Sequence, residues 1–293
     1  RPFHLFPLSA KTATALDAAQ ANLAAFLRDN PDANLADVAY TLQVGRQEMV
    51  YRRAVAVADH ADATAVLDSS DRQRLVGQKA PDSAPSLVFM FPGGGAQYPN
   101  MGRELYETEP VYRDVIDECL DLVGEYLDAD LRSLMFCNED EVAEKAAELQ
   151  RPSRALPALY MTEVALARLL MSWGIEPATT TGHSMGEYTS AHFADVLSLA
   201  DGLKIVTWRG QLFETLPAGA MLSVQLPENE LAPLLIDDLD IAVINAPELC
   251  VVSGKAESIE KMAAVLTDAD IEFRRIKIDV AAHSAMLDPI LDE

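Results

Sequence analysis

Cysteine is scarce in this chain of 293 residues: Cys119, Cys137 and Cys250 are an odd count with none of the paired spacings that hold a metal. A disulfide framework and a metal site are set aside, and reduced, mostly buried thiols of a cytoplasmic protein are expected. Positive charge is equally short. Lys and Arg number 23 against 46 Asp and Glu, and a formal charge of −23 leaves no basic stripe for neutralising phosphates. Nucleic acid is therefore excluded as a partner. No stretch is expected to span a membrane, because the most apolar long segment, Ala155 to Ile175, is broken by Glu163 and Arg168. A signal peptide, internal repeats and low-complexity tracts are also missing. The chain opens on RPFHLFPLSAK without a methionine and closes on LDPILDE, and it reads as a piece of something longer.

What is present suits a folded protein: 49% hydrophobic and 24% charged residues, enough to build a core in two structural units. HLFPLSAK predicts a short strand with Ser9 capping a helix that runs to about Asn30. NLADVAYTLQVGR predicts a second helix and YRRAVAVA a strand. The proline-bearing GQKAPDSAPS then reads as a linker. From SLVFMFPGGGAQYPNMG onward an apolar strand enters a triple-glycine loop, and helical patterns come next, with NEDEVAEKAAELQR as a solvated helix face. Residues 217–278 change character and predict β-α-β-β-α-β, the ferredoxin-like order, interrupting a larger α/β unit.

The chemistry starts at TTTGHSMGEYTS. G-x-S-x-G between a strand and a helix is a nucleophile elbow. Gly182 and Gly186 let strand and helix approach, Ser184 is pushed out at the helix N-terminus, and the Met185 N–H is placed to donate to an oxyanion. The same letters also describe a plain Gly-Ser turn. A serine needs a base, and five histidines are available. His4 and His60 lie in the first unit, and His192 sits in an apolar helix. His183 adjoins the serine but is expected to diverge from it. His283 follows a strand and can return to the same sheet edge. Gly93, Gly94 and Gly95 in FPGGGAQ supply backbone for the second half of an oxyanion hole or for a phosphate cradle. The loop lacks the Lys of G-x-x-x-x-G-K-[ST] and is not G-x-G-x-x-G, which disfavours a nucleotide.

Taken in order, FPGGGAQYPNMG, LPALYMTEVALARLLMSWG, GHSMGEY, WRG, VINAP and AAHSAMLDPI resemble the acyltransferase domain of modular type I polyketide synthases. Their relatives are the malonyl-CoA:acyl carrier protein transacylases. The first unit, beginning RPFHLFPLSAK, resembles the linker between a ketosynthase and its acyltransferase. The resemblance implies an α/β fold. A small α+β linker domain, residues 1–85, precedes an α/β-hydrolase-like core at 86–216. The inserted ferredoxin-like subdomain is 217–278, and 279–293 returns to the core. It further implies Ser184 as acylated nucleophile, His283 as base, and backbone N–H donors at Gly94 and Met185. Arg209, 25 residues beyond the serine, grips a free carboxylate, with Trp208 beside it suggesting a partly covered site. His183, Leu156 and Ala282 are expected near the substrate.

The expected reaction loads malonyl or methylmalonyl from CoA onto the phosphopantetheine thiol of an acyl carrier protein, in polyketide or fatty-acid-like biosynthesis. Acyl-CoA is substrate, no cofactor is held permanently, and no metal is involved. The partners implied are the carrier protein, the adjacent ketosynthase and other megasynthase domains. Because such carriers are also acidic, tethering within one assembly is expected to offset like-charge repulsion. A serine hydrolase and an inactive structural segment remain alternatives. A hydrolase calls for a carboxylate between Ser184 and His283, and Asp237, Asp238, Asp240, Asp270 and Asp279 are available; in the relatives a backbone carbonyl further along holds the histidine. Three departures mark this chain: Gly94 where relatives read GQG, Leu156 where they read QPAL, and Val280-Ala281-Ala282 before His283.

Overall fold

The computed structural model describes residues 2–69, 73–276 and 278–293. The chain divides into two compact units, Arg1–Ser86 and Leu87–Glu293.

In the first unit, β1 (His4–Ala10), α1 (Ala13–Asp29), α2 (Leu35–Val44), β2 (Tyr51–Val57), α3 (His60–Asp68) and β3 (Val76–Lys79) succeed one another. The sheet is antiparallel in the order β1-β2-β3. Alternation along β1 buries Phe6, Leu8 and Ala10, while α1 buries Leu16, Gln20, Ala24 and Leu27 at helical spacing. Two expectations are corrected. Ser9 lies within β1, its hydroxyl bonding Gln47 and Met49, and Thr12 caps α1 instead by accepting from the Ala15 N–H. The linker-like GQK belongs to β3, whose residues are exposed but whose backbone pairs with β2.

The second unit begins with β4 (Val88–Phe91) and continues through α4 (Arg103–Thr108), α5 (Pro110–Val123), α6 (Leu131–Met135), α7 (Val142–Leu149) and α8 (Pro152–Ser172). Then come β5 (Thr179–Gly182), α9 (Gly186–Phe193) and α10 (Leu199–Phe213). Strands β4 and β5 pair in parallel. By length and composition α8 is apolar enough to cross a bilayer, contrary to expectation, yet 72% of its apolar window is buried within the fold. It buries residues on every side, among them Leu156, Tyr160, Met161 and Val164, and packs on α5 and α10. Those are the marks of a helix at the centre of a core.

The remaining elements are β6 (Gly219–Val224), α11 (Glu228–Leu231), β7 (Leu239–Ala246), β8 (Leu249–Lys255), α12 (Ala256–Asp268) and β9 (Phe273–Arg275). Their sheet is antiparallel in the order β7-β8-β6-β9. One face, with Leu222, Cys250 and Val252, packs on Ile259, Met262 and Leu266 of α12. Met221 and Val251, on the opposite face, join the main core of the unit. Covering both faces explains why β6 and β8 are apolar without alternation. Strand β9 is shorter than IEFRRIKI suggests, because the chain leaves the ladder at Ile276 and turns Ile276 and Ile278 toward a cavity. Cys119, Cys137 and Cys250 are free and buried.

Candidate active site

The elbow is dictated by lack of room. A Cβ on Gly182 would stand 2.1 Å from the Glu187 nitrogen, and one on Gly186 2.2 Å from the Phe91 oxygen. Only glycine at both points lets the end of β5 cross the start of α9 beneath the end of β4. The turn leaves Ser184 at a φ of 51°. That left-handed backbone costs a non-glycine residue ~1–2 kcal/mol and is typical of strain kept at functional sites.

Ser184 Oγ lies 2.8 Å from His283 Nε2. Burial lowers the His283 pKa below its ordinary 6.5, and the positive charge of Arg209 pushes the same way. The imidazole is thus neutral at neutral pH and able to accept the hydroxyl proton. Among the described residues neither the Met185 nor the Gly94 N–H has an acceptor. Both line the cavity holding Ser184, which suits an oxyanion hole.

That cavity, about 80 Å³, contains every site residue inferred from sequence: Ser184, His283, Gly94, Met185, Arg209, His183, Leu156 and Ala282. A broader groove of about 770 Å³ lies on the first unit, and no histidine or cysteine lines it among the described residues. Arg209, on α10, donates from Nη1 to the Tyr188 hydroxyl at 3.2 Å. Its Cζ sits 5.6 Å from the Tyr188 ring and 5.0 Å from the Phe213 ring. Aromatic faces attract and orient the planar cation. Among the described residues no carboxylate pairs with it and no acidic residue lines the cavity. Arg209 is partly covered, as expected, though neighbouring Trp208 is half exposed and does not line the cavity; Tyr188 and Phe213 lie against the guanidinium.

His183, expected to diverge from the serine, lines the same cavity and bonds Asn245 Oδ1 from Nε2 at 2.9 Å. The other histidines stand apart: His192 bonds the Leu197 carbonyl, and His60 the Ala33 carbonyl. Leu156 and Ile278 flank the glycine loop. A Cβ on Gly94 would meet Ile278 Cδ1 at 3.2 Å and Leu156 Cδ2 at 3.7 Å. Apolar atoms therefore occupy the region beside Gly94. Of the five aspartates that might orient His283, Asp238 pairs with Lys255 and Asp240 bonds the Ala285 N–H. Tyr188 closes GHSMGEY and Asn245 lies in VINAP, but neither was singled out for the site, and Phe213 lies outside the quoted motifs. The i,i+4 spacing of Arg209 and Phe213 was the available signal for one of them.

A family model described as "Acyl transferase domain" matches residues 88–293, and a second, "CurL-like, PKS C-terminal", matches residues 4–67. Fold and matches together define the class, an acyltransferase domain of mixed α/β structure. The chain belongs to the acyl transferase domain family, in the form carried by polyketide synthases. Mycoketide-CoA synthase of Mycobacterium tuberculosis is 36% identical over 290 residues, 98% of this chain and 7% of that protein. Polyketide synthase GfsA of Streptomyces halstedii is 34% identical over 291 residues, 97% of this chain and 4% of that one. The chain thus spans a small part of the curated relatives it matches. The solved acyl transferase domain of ZmaA has a TM-score of 0.88 at 38% identity, covering 100% of this chain and 68% of that one. The acyl transferase domain of SpnD, in complex with 2-(pent-4-yn-1-yl)malonyl, has a TM-score of 0.87 at 34% identity, covering 99% and 68%.

Proposed function

We propose that this domain moves a malonyl or methylmalonyl unit from CoA to the phosphopantetheine thiol of an acyl carrier protein through an acyl-Ser184 intermediate. The observation that carries the reading is Arg209. A guanidinium without a carboxylate partner among the described residues shares a cavity with Ser184 and His283, in a unit that bears nearly all of the −23 charge. A cavity with no acidic side chain among its described lining residues, within so acidic a unit, suits an anionic acyl group. The substituted malonyl held by the SpnD domain supports a carboxylated unit.

In the proposed sequence His283 takes the Ser184 proton as Oγ attacks the thioester carbon. The oxyanion is stabilised by the Gly94 and Met185 N–H groups. The carbon–sulfur bond breaks and CoA leaves with the proton from His283. The carrier thiol then gives its proton to His283, attacks the ester, and Ser184 regains the proton as it departs. Arg209 holds the free carboxylate throughout, while Leu156 and Ala282 shape the space beside the acyl carbon. No permanent cofactor enters.

We read the architecture as an α/β-hydrolase-like core, residues 86–216 and 279–293, with a ferredoxin-like subdomain at 217–278 and a linker domain at 1–85. The matched relatives support a ketosynthase and other megasynthase domains as neighbours and a cytoplasmic setting. Intact-mass measurement with malonyl-, methylmalonyl- and acetyl-CoA in competition tests the proposal. A dicarboxylic adduct that Ser184→Ala abolishes is expected. Preferential acetylation, or an adduct surviving in Ser184→Ala, would refute it; rapid loss of the adduct to water without a carrier would point to a hydrolase.

A further inference from the structure

Strand β7 reaches the site in a way its residue pattern does not announce. In the ladder with β8, Asp240 pairs with Ser253, Ile241 with Val252, Val243 with Val251 and Ile244 with Cys250. The register breaks between Ile241 and Val243, and again between Ile244 and Ala246. Directly paired residues share a face of the sheet. Cys250 and Val252 face α12, and Val251 faces the cavity. Asp240 and Val243 are therefore on the cavity side. Without the first bulge Val243 would oppose Cys250 and turn away from the cavity, since a one-residue slip exchanges faces. Bulges beside active sites re-aim side chains in this manner.

Asp240 stands just ahead of that bulge. Its Oδ2 accepts from the Ala285 N–H at 2.8 Å, at the first residue of the 3₁₀ turn Ala285–Ile290. Next to His283, Ser284 Oγ donates to the Ala281 carbonyl at 2.8 Å. Between these two ties His283 holds a φ of 57°. A left-handed histidine persists only where its surroundings fix it. Resting on the acyl-Ser184 reading above, we infer that Asp240 is a positioning residue for the transfer reaction: through the Ala285 N–H it fixes the loop that brings His283 Nε2 to the Ser184 hydroxyl.

The loop requires an acceptor oxygen rather than a charge. Besides burial, the groups that bear on the imidazole are Arg209 and His183, and Asp240 is not among them. Asp240→Asn, which keeps a carbonyl oxygen, should then behave as the native chain, while Asp240→Ala should not.

The probe is an alkyl fluorophosphonate. Ser184 Oγ forms a bond to phosphorus, fluoride leaves, and His283 takes the hydroxyl proton, so the readout needs the Ser184–His283 pair but no acyl-CoA. Asp240→Ala is expected to slow labelling ten- to a hundredfold, the order a misplacement of about 1 Å costs. The acid limb of its pH profile should stay in place. Asp240→Asn should label within about threefold of the native rate. Should Asp240→Ala fail to fold, Ser284→Ala removes the other tie and is expected to slow labelling about tenfold. Native labelling in both alanine variants, or equal loss in Asp240→Asn and Asp240→Ala, would overturn the inference. If the native chain labels with the phosphonate but takes no acyl group from CoA, the transferase reading fails and the positioning role is still decided.

Discussion

Replacing Arg209 by alanine separates carboxylate capture from the rest of the machinery. The guanidinium rests on Tyr188 and Phe213 and has no described anionic partner, so its removal breaks no ion pair of the fold. A hydrogen bond to a charged group is worth ~1.5–3 kcal/mol net. Each ~1.4 kcal/mol is tenfold in rate, so kcat/KM for acylation by malonyl-CoA should fall by about 10- to 150-fold. Acetyl-CoA lacks the second carboxylate and should lose nothing or gain. A second effect has a definite sign. Arg209 helps hold the His283 pKa below 6.5, and acylation requires neutral imidazole. Removing the positive charge makes protonation easier, so the acid limb should move to higher pH. Arg209→Lys keeps the charge and loses the planar fork: the acid limb should hold while malonyl use falls part of the way. Rapid-quench intact-mass measurement of Ser184 acylation, from about pH 5 to 8, reads both effects. Unchanged malonyl transfer in Arg209→Ala would refute the carboxylate clamp.

Leu156→Gln places a polar group at a position that is only 3% exposed and lies against the flank of Gly94. A buried amide without a partner costs ~1–3 kcal/mol, so the melting temperature should drop by several degrees. Competition between CoA esters should shift toward malonyl over methylmalonyl by up to about tenfold as the apolar wall is lost. Glu163 on α8 accepts from Thr189 of α9, and burial pushes its pKa up to about 8. Its raised value means that the stability it contributes is full below 4.5 and is lost as pH rises to about 8. Glu163→Gln should therefore match the native chain in acid and exceed it by ~1–3 kcal/mol near the upper end of that window, as urea unfolding at the two pH values will read.

The site was legible where the chemistry is local. G-x-S-x-G encodes the backbone clashes at Gly182 and Gly186 within five residues, and those clashes force the elbow. His283 and Arg209 lie far along the chain, and only the ordered resemblance separated them from other histidines and arginines. Arg209 is partly covered, as its neighbour Trp208 suggested, but Trp208 is not what lies against it. On a helix the neighbour that counts is one turn away, and Phe213 occupies it. Asn245 lies in the VINAP motif, yet its place in the site was not legible from it, for a different reason. Its orientation depends on two bulges in β7, and alternation alone would assign Val243 and Asn245 to the wrong face. In the fold, Thr12 displaced Ser9 as helix cap because pairing with β2 extends β1 to Ala10. The linker-like GQK pairs as a strand through its backbone alone, which leaves no apolar signature to read.

The distribution of charge bears on how the second substrate arrives. The first unit is close to neutral, and almost the whole of the −23 belongs to Leu87–Glu293. On the proposed transferase reading an acidic carrier approaching Ser184 would cross that field, although no described acidic residue lines the cavity itself. Repulsion between like surfaces acts on encounter and is screened within ~10 Å at 0.1 M salt. For a free acidic carrier, raising ionic strength from about 0.02 M to 0.2 M should thus raise kcat/KM of the second half-reaction by several-fold. Attraction across a basic docking patch would produce the opposite slope. The first half-reaction, with CoA and its phosphates as donor, should rise with salt as well, whereas a carrier fused to the domain should respond little, since its effective concentration is set by the linker. Stopped-flow transfer from preloaded Ser184 to free and fused carriers measures all three. A rate for the free carrier that falls with salt would refute delivery by tethering and require a complementary surface on this domain.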